Sequence, residues 1–259
     1  MSKSNERILN KLFKDSNTYI EEAISVNKEE FIKVVESRRS VRIYDNSQVK
    51  EEDMLKCLEL SLLSANSSNL QPWEFYWVKD IDKKNKLIDY CLGQPAASTA
   101  QELVVCVARP DNWKINTQIM LDMFKEKELP QAVSTYYKKI VPLAYNQGFL
   151  GLFGFIKKIS TFFIGLKRSI PREPTSFNDM KIWAHKSTAL ACQTLMLSLR
   201  AFGYDSCPME GIDSFRIKKL LKLPKKAQIC MVISAGKRAS NGVYGKRFRL
   251  ERERFIKII

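Results

Sequence analysis

The sequence has 259 residues, of which 45% are hydrophobic and 27% are charged, with only 10 glycines and 9 prolines. This composition excludes disordered, collagen-like and low-complexity classes, and the length suits one large domain or two small ones around a buried core. An excess of 43 Lys and Arg over 28 Asp and Glu gives a formal net charge of +15, which attracts anionic ligands or surfaces without selecting among them.

The positive charge is concentrated in two segments. Residues 149–172 contain five basic and no acidic residues, and residues 237–259 contain eight basic and two acidic ones. Such segments can attract phosphate-bearing ligands, anionic lipid or nucleic acid. No zinc-finger spacing, RNP signature or basic zipper accompanies them, so we expect no nucleic-acid partner.

The cysteines and the first residues indicate a cellular compartment. The start of the chain, MSKSNERILNKLFKDS, is polar and lacks the apolar core of a signal peptide. The six cysteines include no CxxC pair and mostly lie in apolar runs, which predicts buried, reduced thiols of a cytoplasmic protein. These residues are Cys57, Cys91, Cys106, Cys192, Cys207 and Cys230.

The first half of the chain predicts helices that alternate with strands. A polar arm at 1–26 precedes a domain that covers 27–259. Apolar residues recur at helical spacing in some stretches and form continuous or aromatic-rich runs in others. The predicted elements are helices at 28–37, 51–65 and 82–92 and strands at 74–79 and 103–108.

The second half is dominated by apolar segments. Residues 112–140 are predicted to be helical, and 148–170 hold two apolar runs, split by two lysines, each too short to span a bilayer. The strongest predicted helix, 182–202, is apolar nearly all round and ends before Gly203, which is typical of a helix buried against a partner subunit. A turn at 206–211, a helix at 213–221, a strand at 228–235 and a basic tail follow. The pattern predicts an α/β or α+β fold around one sheet.

Side chains that perform acid–base or metal chemistry are scarce. The one histidine, His185, lies in the predicted helix 182–202 and is expected to pack there rather than to act as a base. The sequence has no P-loop, no GxGxxG after a strand and no clustered His and Cys ligands for a metal. It therefore disfavours hydrolases, P-loop NTPases and Rossmann dehydrogenases, and an enzyme of this kind would rely on a cofactor.

Three polar clusters are candidates for a binding site. Cluster 1 (38–42) carries three arginines and a serine, which suit a phosphate group but would equally complement the end of the preceding helix. Cluster 2 (66–73) combines amides and hydroxyls that can pair with ring carbonyls and nitrogens or simply form a turn. Cluster 3 (208–211) is predicted to expose backbone amides in a tight turn after a buried helix.

The clusters, in this order and spacing, resemble the FMN-dependent nitroreductase family from about residue 28 to the end of the chain. The segments that carry the resemblance are SRRSVRIYD (37–45), SSNLQPWEF (67–75), LMLSLRAFGYDSCPMEGID (195–213), LLKLP (220–224) and GVYGKRFRL (242–250). The resemblance implies an α+β, nitroreductase-like fold, with a central, mostly antiparallel sheet surrounded by helices. It also implies an intertwined homodimer with two FMN sites at its interface.

The resemblance further implies which residues contact FMN. Cluster 1 would hold the phosphate and the near side of the ring, cluster 2 would come from the other subunit, and two tail arginines would close on the phosphate. Cluster 3 would flank the reactive N5 edge, with the Glu210 backbone near it, so no catalytic side chain and no metal is implied. The FMN-binding residues implied are Arg38, Arg39, Ser40, Arg42, Asn66, Ser67, Asn69, Gln94, Pro208, Met209, Glu210, Gly211, Arg247 and Arg249.

The activity implied is transfer of hydride from NAD(P)H, through flavin N5, to an electron-poor acceptor such as a nitroaromatic or a quinone, in a ping-pong cycle. A specialised member of the family is the alternative: a dehalogenase, an ene reductase or a flavin-fragmenting enzyme. The third hypothesis is a flavin-binding or membrane-surface protein with little turnover. The sequence does not distinguish NADH from NADPH.

Two parts of the chain depart from the family pattern. Ala65-Asn66 stands where the family often has Pro-Ser, so the assignment of Asn66 is weaker than that of Asn69, and the alignment at Gln94 is loose. The shared motifs do not account for 141–180, which we expect to form a lid or cleft wall. Its phenylalanines fit an aromatic acceptor, packing against the dimer core, or attachment to a membrane surface. These residues are Phe149, Phe153, Phe155, Phe162 and Phe163.

Overall fold

The computed structural model describes residues 21–126 and 131–259. Most of the predicted N-terminal arm therefore lies outside the described residues, and 21–27 have no regular secondary structure. The strands are β1 (Trp73–Trp77), β2 (Glu102–Ala108), β3 (Asp205–Met209) and β4 (Gln228–Gly236). The helices are α1 (Lys28–Ser37), α2 (Glu51–Leu62), α3 (Ile81–Tyr90), α4 (Pro95–Ser98), α5 (Trp113–Glu126), α6 (Gln131–Thr135), α7 (Val141–Tyr145), α8 (Leu152–Lys167), α9 (Phe177–Ala201) and α10 (Ser214–Leu220).

The four strands form one sheet in the order β1-β2-β4-β3, with antiparallel pairing between all neighbours. The central pair is in register at Val104 and Ile233, and Val104 also pairs with Trp77 of β1. β1 and β3 are the two edges of this sheet. The predicted α+β fold with an antiparallel sheet among helices is thus confirmed.

Alternate side chains of β2 enter the two apolar cores that lie on opposite faces of the sheet. Val105 and Val107 pack in one core with residues of α3 and α10. Val104 and Cys106 pack in the other with residues of α2 and α9. A strand with both faces buried carries no polar alternation, which explains why LVVCVA is continuously apolar.

Helix α9 is longer than predicted at its N-terminus. The Ser176 hydroxyl accepts a hydrogen bond from the Asp179 amide at 3.1 Å, so the helix begins at Phe177 rather than near 182. Gly203, with φ of 85°, ends it as predicted, since a left-handed residue suits glycine. One face of α9 is open, and Ile182 and Leu190 are each about half exposed.

The prediction of a turn at 206–211 was wrong, because residues 205–209 form β3. Proline disfavours a strand, since it cannot donate to the ladder. β3 is an edge strand of the sheet, however, and Pro208 pairs with Ile233 of its one neighbouring strand, β4. The turn that follows is shorter and includes the exposed residues Glu210 and Gly211.

The segments around 112–170 also differ from the prediction. The described part of 112–140 is not one helix but α5, α6 and a π-helical turn at Tyr136–Ile140 that leads into α7. The two apolar runs of 148–170 are joined in one continuous helix, α8, after a 3-10 turn at Phe149–Gly151. Phe149–Lys167 is long and apolar enough to cross a membrane by length and composition alone, and only 6% of its most apolar window is buried.

Asp205, at the start of β3, is the centre of a buried ion-pair group. It is 4% exposed and receives hydrogen bonds from Arg238 Nε at 2.7 Å and from Arg200 Nη1 at 2.9 Å. Buried carboxylates are stable only when such partners replace water. These contacts join the ends of α9 and β4 to the edge strand.

We predict that Asp205→Ala lowers the free energy of unfolding by about 3 kcal/mol, because two arginines lose the partner that compensates their burial. The exposed i,i+3 pair of Lys56 and Glu59 provides the control, and Glu59→Ala is expected to cost less than about 1 kcal/mol. Urea unfolding measures both. Equal stabilities of the two variants would contradict this account of Asp205.

Candidate functional site

Cluster 1 lies along the outer edge of β3. Ser40 forms an isolated bridge with Ser206, and the Val41 amide donates to the Ser206 carbonyl at 3.2 Å. The side chains of Val41 and Tyr44 are buried, and the Tyr44 hydroxyl lies 2.9 Å from the Ser234 hydroxyl. These anchors fix the backbone between the arginines and leave the arginines at the surface.

The basic tail folds back onto cluster 1. The Arg42 amide donates to the Gly242 carbonyl at 2.7 Å. Arg39 Nη2 donates to the Gly245 carbonyl, and Arg247 Nη2 donates to the Arg38 carbonyl. Residues 200 or more positions apart in the chain therefore meet at one place.

The electrostatics of this place are suited to an anion. Burial lowers the pKa of Arg38, and the neighbouring charges of Arg247, Arg249 and Arg39 lower it further. Among the described residues, buried Nη1 of Arg38 has no hydrogen-bond partner. A phosphate group would offset the repulsion among the arginines and accept from the unpaired donor.

A cavity of about 490 Å³ opens beside these arginines, and its lining includes two residues that the sequence did not indicate. Arg200 and Arg238, which both hold Asp205, line it together with Arg39 and Arg247. Glu36 and Ser37 complete the lining. Arg200 lies in the segment 195–213, which carried the resemblance. Its partner, the buried carboxylate of Asp205, can be recognised only once β3 is known to be a strand.

Cluster 3 and Gln94 lie next to each other. Gln94 Nε2 donates to the Cys91 carbonyl at 3.0 Å and to the Gly211 carbonyl at 3.4 Å. Met209 is buried, Pro208 is half-buried, and Glu210 and Gly211 are exposed beyond the end of β3. The loosely aligned Gln94 is thus brought to cluster 3.

Cluster 2 lies elsewhere, at the opposite edge of the sheet. Its loop leads into β1 and is held by tyrosines of the 136–145 segment. The Ser67 hydroxyl accepts from the Tyr145 hydroxyl at 3.0 Å, and Ser68 Oγ lies 2.7 Å from the Tyr136 hydroxyl. Asn66 Oδ1 accepts from the Gln71 amide at 2.8 Å, and Asn69 is exposed.

The sheet order shows that one chain does not bring the three clusters together. Cluster 2 precedes edge strand β1, and clusters 1 and 3 flank edge strand β3. Three strand spacings of about 4.8 Å separate these edges by roughly 14 Å. Clusters 1 and 3 are thus grouped at one edge of the sheet, and cluster 2 lies at the other.

The residues gathered around cluster 1 and cluster 3 offer little acid–base chemistry. The Cys207 thiol is buried, which raises its pKa. His185 is half-buried on α9, where it contacts the thiol of Cys230, and this agrees with the packing role predicted for it. The described residues contain no group of three or more His, Cys, Asp and Glu side chains placed to hold a metal. The arrangement is suited to an anion and exposes backbone, and a bound cofactor would have to supply redox chemistry.

Comparison with known proteins identifies a family. Residues 35–237 match the model of the Nitroreductase family. The chain is 27% identical over 200 residues to a protein of Staphylococcus haemolyticus assigned as an NAD(P)H nitroreductase, covering 76% of this chain and 81% of that one. It is 27% identical over 217 residues to an NADH dehydrogenase of Thermus thermophilus, covering 83% and 90%. A protein of Exiguobacterium sibiricum assigned as a nitroreductase, solved in complex with FMN, has the same fold, with a TM-score of 0.67, 22% identity and coverage of 92% and 99%.

We predict that inorganic phosphate stabilises the ligand-free protein through the arginine group. At matched ionic strength, phosphate at about ten times its dissociation constant should raise Tm by about 2–4 °C relative to chloride. Arg247→Gln should remove most of this shift in Tm, because the variant lacks one of the charges that would hold the phosphate. Arg247 is exposed, so its replacement does not disturb the core. Arg216→Gln, which removes an exposed arginine on α10, is the control. An equal shift in both variants would mean that phosphate binds elsewhere.

Proposed function

The chain belongs to the nitroreductase family, and we propose that it is an FMN-dependent oxidoreductase that transfers hydride from NAD(P)H to an electron-poor acceptor. The observation that carries this proposal is the group of arginines at positions 38, 39, 247 and 249, with a buried donor that lacks a partner. This group suits the phosphate of FMN, and the fold neighbour from E. sibiricum was solved with FMN.

We propose that the active form is a homodimer. The separation of cluster 2 from the other clusters supports this, since each cleft would take Asn66, Ser67 and Asn69 from the second subunit. The open face of α9 is a surface that a partner can cover. The C-terminal residues 244–259 are exposed along their whole length, including Phe248 and Phe255, as expected of a segment that crosses onto a partner.

Each group of residues then has a separate role. Arg38, Arg39, Arg247 and Arg249 would neutralise the phosphate, and Ser40 and Arg42 would contact the near side of the cofactor. Bound FMN supplies a ring that accepts and donates hydride at N5. The turn at Glu210 and Gly211 would present backbone amides to that edge of the ring, and Gln94 holds the turn through the Gly211 carbonyl. No side-chain base is required, and orientation of the two substrates is the main contribution of the protein.

The acceptor that we propose is a nitroaromatic or quinone-like compound, which would occupy the same place as the nicotinamide in turn. The segment 141–180 begins beside cluster 2, where Tyr145 contacts Ser67, and a cleft wall formed there would select the acceptor. A cytoplasmic location agrees with the cysteines, all six of which are free and five of which are buried in the described residues.

We expect the purified protein to show the visible absorption bands of oxidised flavin and to lose them on anaerobic addition of NADH or NADPH. The nucleotide that bleaches the bands faster identifies the preferred donor. Bands that persist with both nucleotides would indicate a different reductant or a binding role. No bands after reconstitution with FMN would contradict the proposal.

A subunit-mixing experiment tests whether each site is shared. Arg247→Ala should weaken FMN binding by about 1.5–3 kcal/mol, the scale of a charge-assisted hydrogen bond, and Asn69→Ala should impair the partner-side contact. Each homodimer then has two damaged sites, whereas a mixed dimer has one intact and one doubly damaged site. Random mixing should restore activity to about a quarter of the wild-type value. No recovery after verified subunit exchange would mean that both residues act in the same site.

A further inference from the structure

Helix α8 presents an apolar stripe to solvent rather than to the protein. Its side chains recur at i, i+3, i+4, i+7, i+10, i+11 and i+14, which is one face of an α-helix. Each is between 45% and 68% exposed. The members of this stripe are Leu152, Phe155, Ile156, Ile159, Phe162, Phe163 and Leu166. Phe149 and Leu150, just before the helix, are 85% and 84% exposed and extend it.

The opposite face of α8 holds the helix on the protein. Gly154 is buried, and a Cβ at this position would collide with the Thr175 carbonyl oxygen, so only glycine permits this approach. Lys157 Nζ donates to the carbonyls of Ala144 and Pro174 at 2.7 and 3.0 Å. Arg172 Nη1 donates to the Thr161 carbonyl at 2.9 Å. The stripe faces outward because this inner face is anchored.

Cations flank the stripe on both sides. Lys158 lies beside Phe155 and Phe162, three and four residues away, and Lys167 lies beside Phe163 on the other side. Arg168 and Arg172 follow, and 149–172 contain no acidic residue. A second copy of the same face would therefore add like charges around the apolar contact, with no carboxylate in this segment to balance them.

We propose that α8 is an interfacial helix that attaches the protein to an anionic lipid bilayer. An exposed stripe of Phe, Leu and Ile with lysines at its borders inserts at the level of the headgroups, where the lysines meet lipid phosphates. The inner face of α8 is bound to the protein through Gly154, Lys157 and the Thr161 carbonyl, so lipid cannot surround the helix. The helix therefore lies on the bilayer and does not cross it. This inference does not depend on the cofactor.

Flotation with lipid vesicles tests the proposal on the full-length protein. We expect binding to vesicles of phosphatidylcholine mixed with phosphatidylglycerol, and much weaker binding to phosphatidylcholine alone or in high salt. Phe162→Ser with Phe163→Ser should reduce binding about a hundredfold or more, because two aromatic rings no longer enter the bilayer. Lys158→Glu with Lys167→Glu should reduce binding to the mixed vesicles by a similar factor.

Phe215→Ser is the matched control, since Phe215 is a 77% exposed phenylalanine on α10, and it should bind vesicles like the wild type. Circular dichroism and light scattering of every variant report folding and mass. The proposal is overturned if the mixed vesicles do not bind the wild type, or if both double variants bind as well as the control. A change from dimer to monomer in the Phe162/Phe163 variant would also overturn it, because the stripe would then be an interface between copies.

Discussion

The candidate site depends on the contact that holds residues 40–44 against the sheet. Ser40 pairs with Ser206 and Tyr44 pairs with Arg238, which joins the start of the domain to strands near its end. The pairing is secured by burial of Val41 and Tyr44, while Arg38, Arg39 and Arg42 are only partly buried. Arg38 and Arg247 are more than 200 positions apart in the sequence, and this pairing helps to bring them into contact. The apolar anchors hold these arginines close together despite their mutual repulsion, which a bound anion would offset.

Strand order is the second constraint. An antiparallel sheet in the order β1-β2-β4-β3 places the segment before β1 and the segment after β3 at its two edges. This separation is the reason for proposing that cluster 2 of each site comes from a second copy of the chain. One face of α9 is also open, with Ile182 and Leu190 about half exposed, and this is the surface that we propose a partner covers. The separation of the clusters follows from strand pairing, and the open face of α9 follows from the hydrophobicity of that helix. The two features are therefore independent.

Much of the fold and part of the site could be predicted from the sequence. Strand β2 and helix α1 were identified because uniform apolar runs and helical periodicity are strong local signals. The meeting of cluster 1 with the tail came from the family resemblance, since no local signal links Arg38 to Arg247. Strand β3 was missed because Pro208 is a strand breaker everywhere except at an edge, and edge status is a property of the whole sheet. The role of Asp205 was missed for the same reason.

The outward face of α8 could not be predicted, because periodicity shows that a helix has an apolar face and not what covers it. A stripe of seven apolar residues is the usual mark of a core-facing helix, and here the core-facing side is formed instead by Gly154, Lys157 and Thr161. The two uncovered helix faces also differ in charge. The face of α9 is the one that we propose a second copy covers, whereas that of α8 has Lys158 and Lys167 at its borders and no acidic residue within 149–172. A protein partner with the same sequence suits the first face, and an anionic surface suits the second.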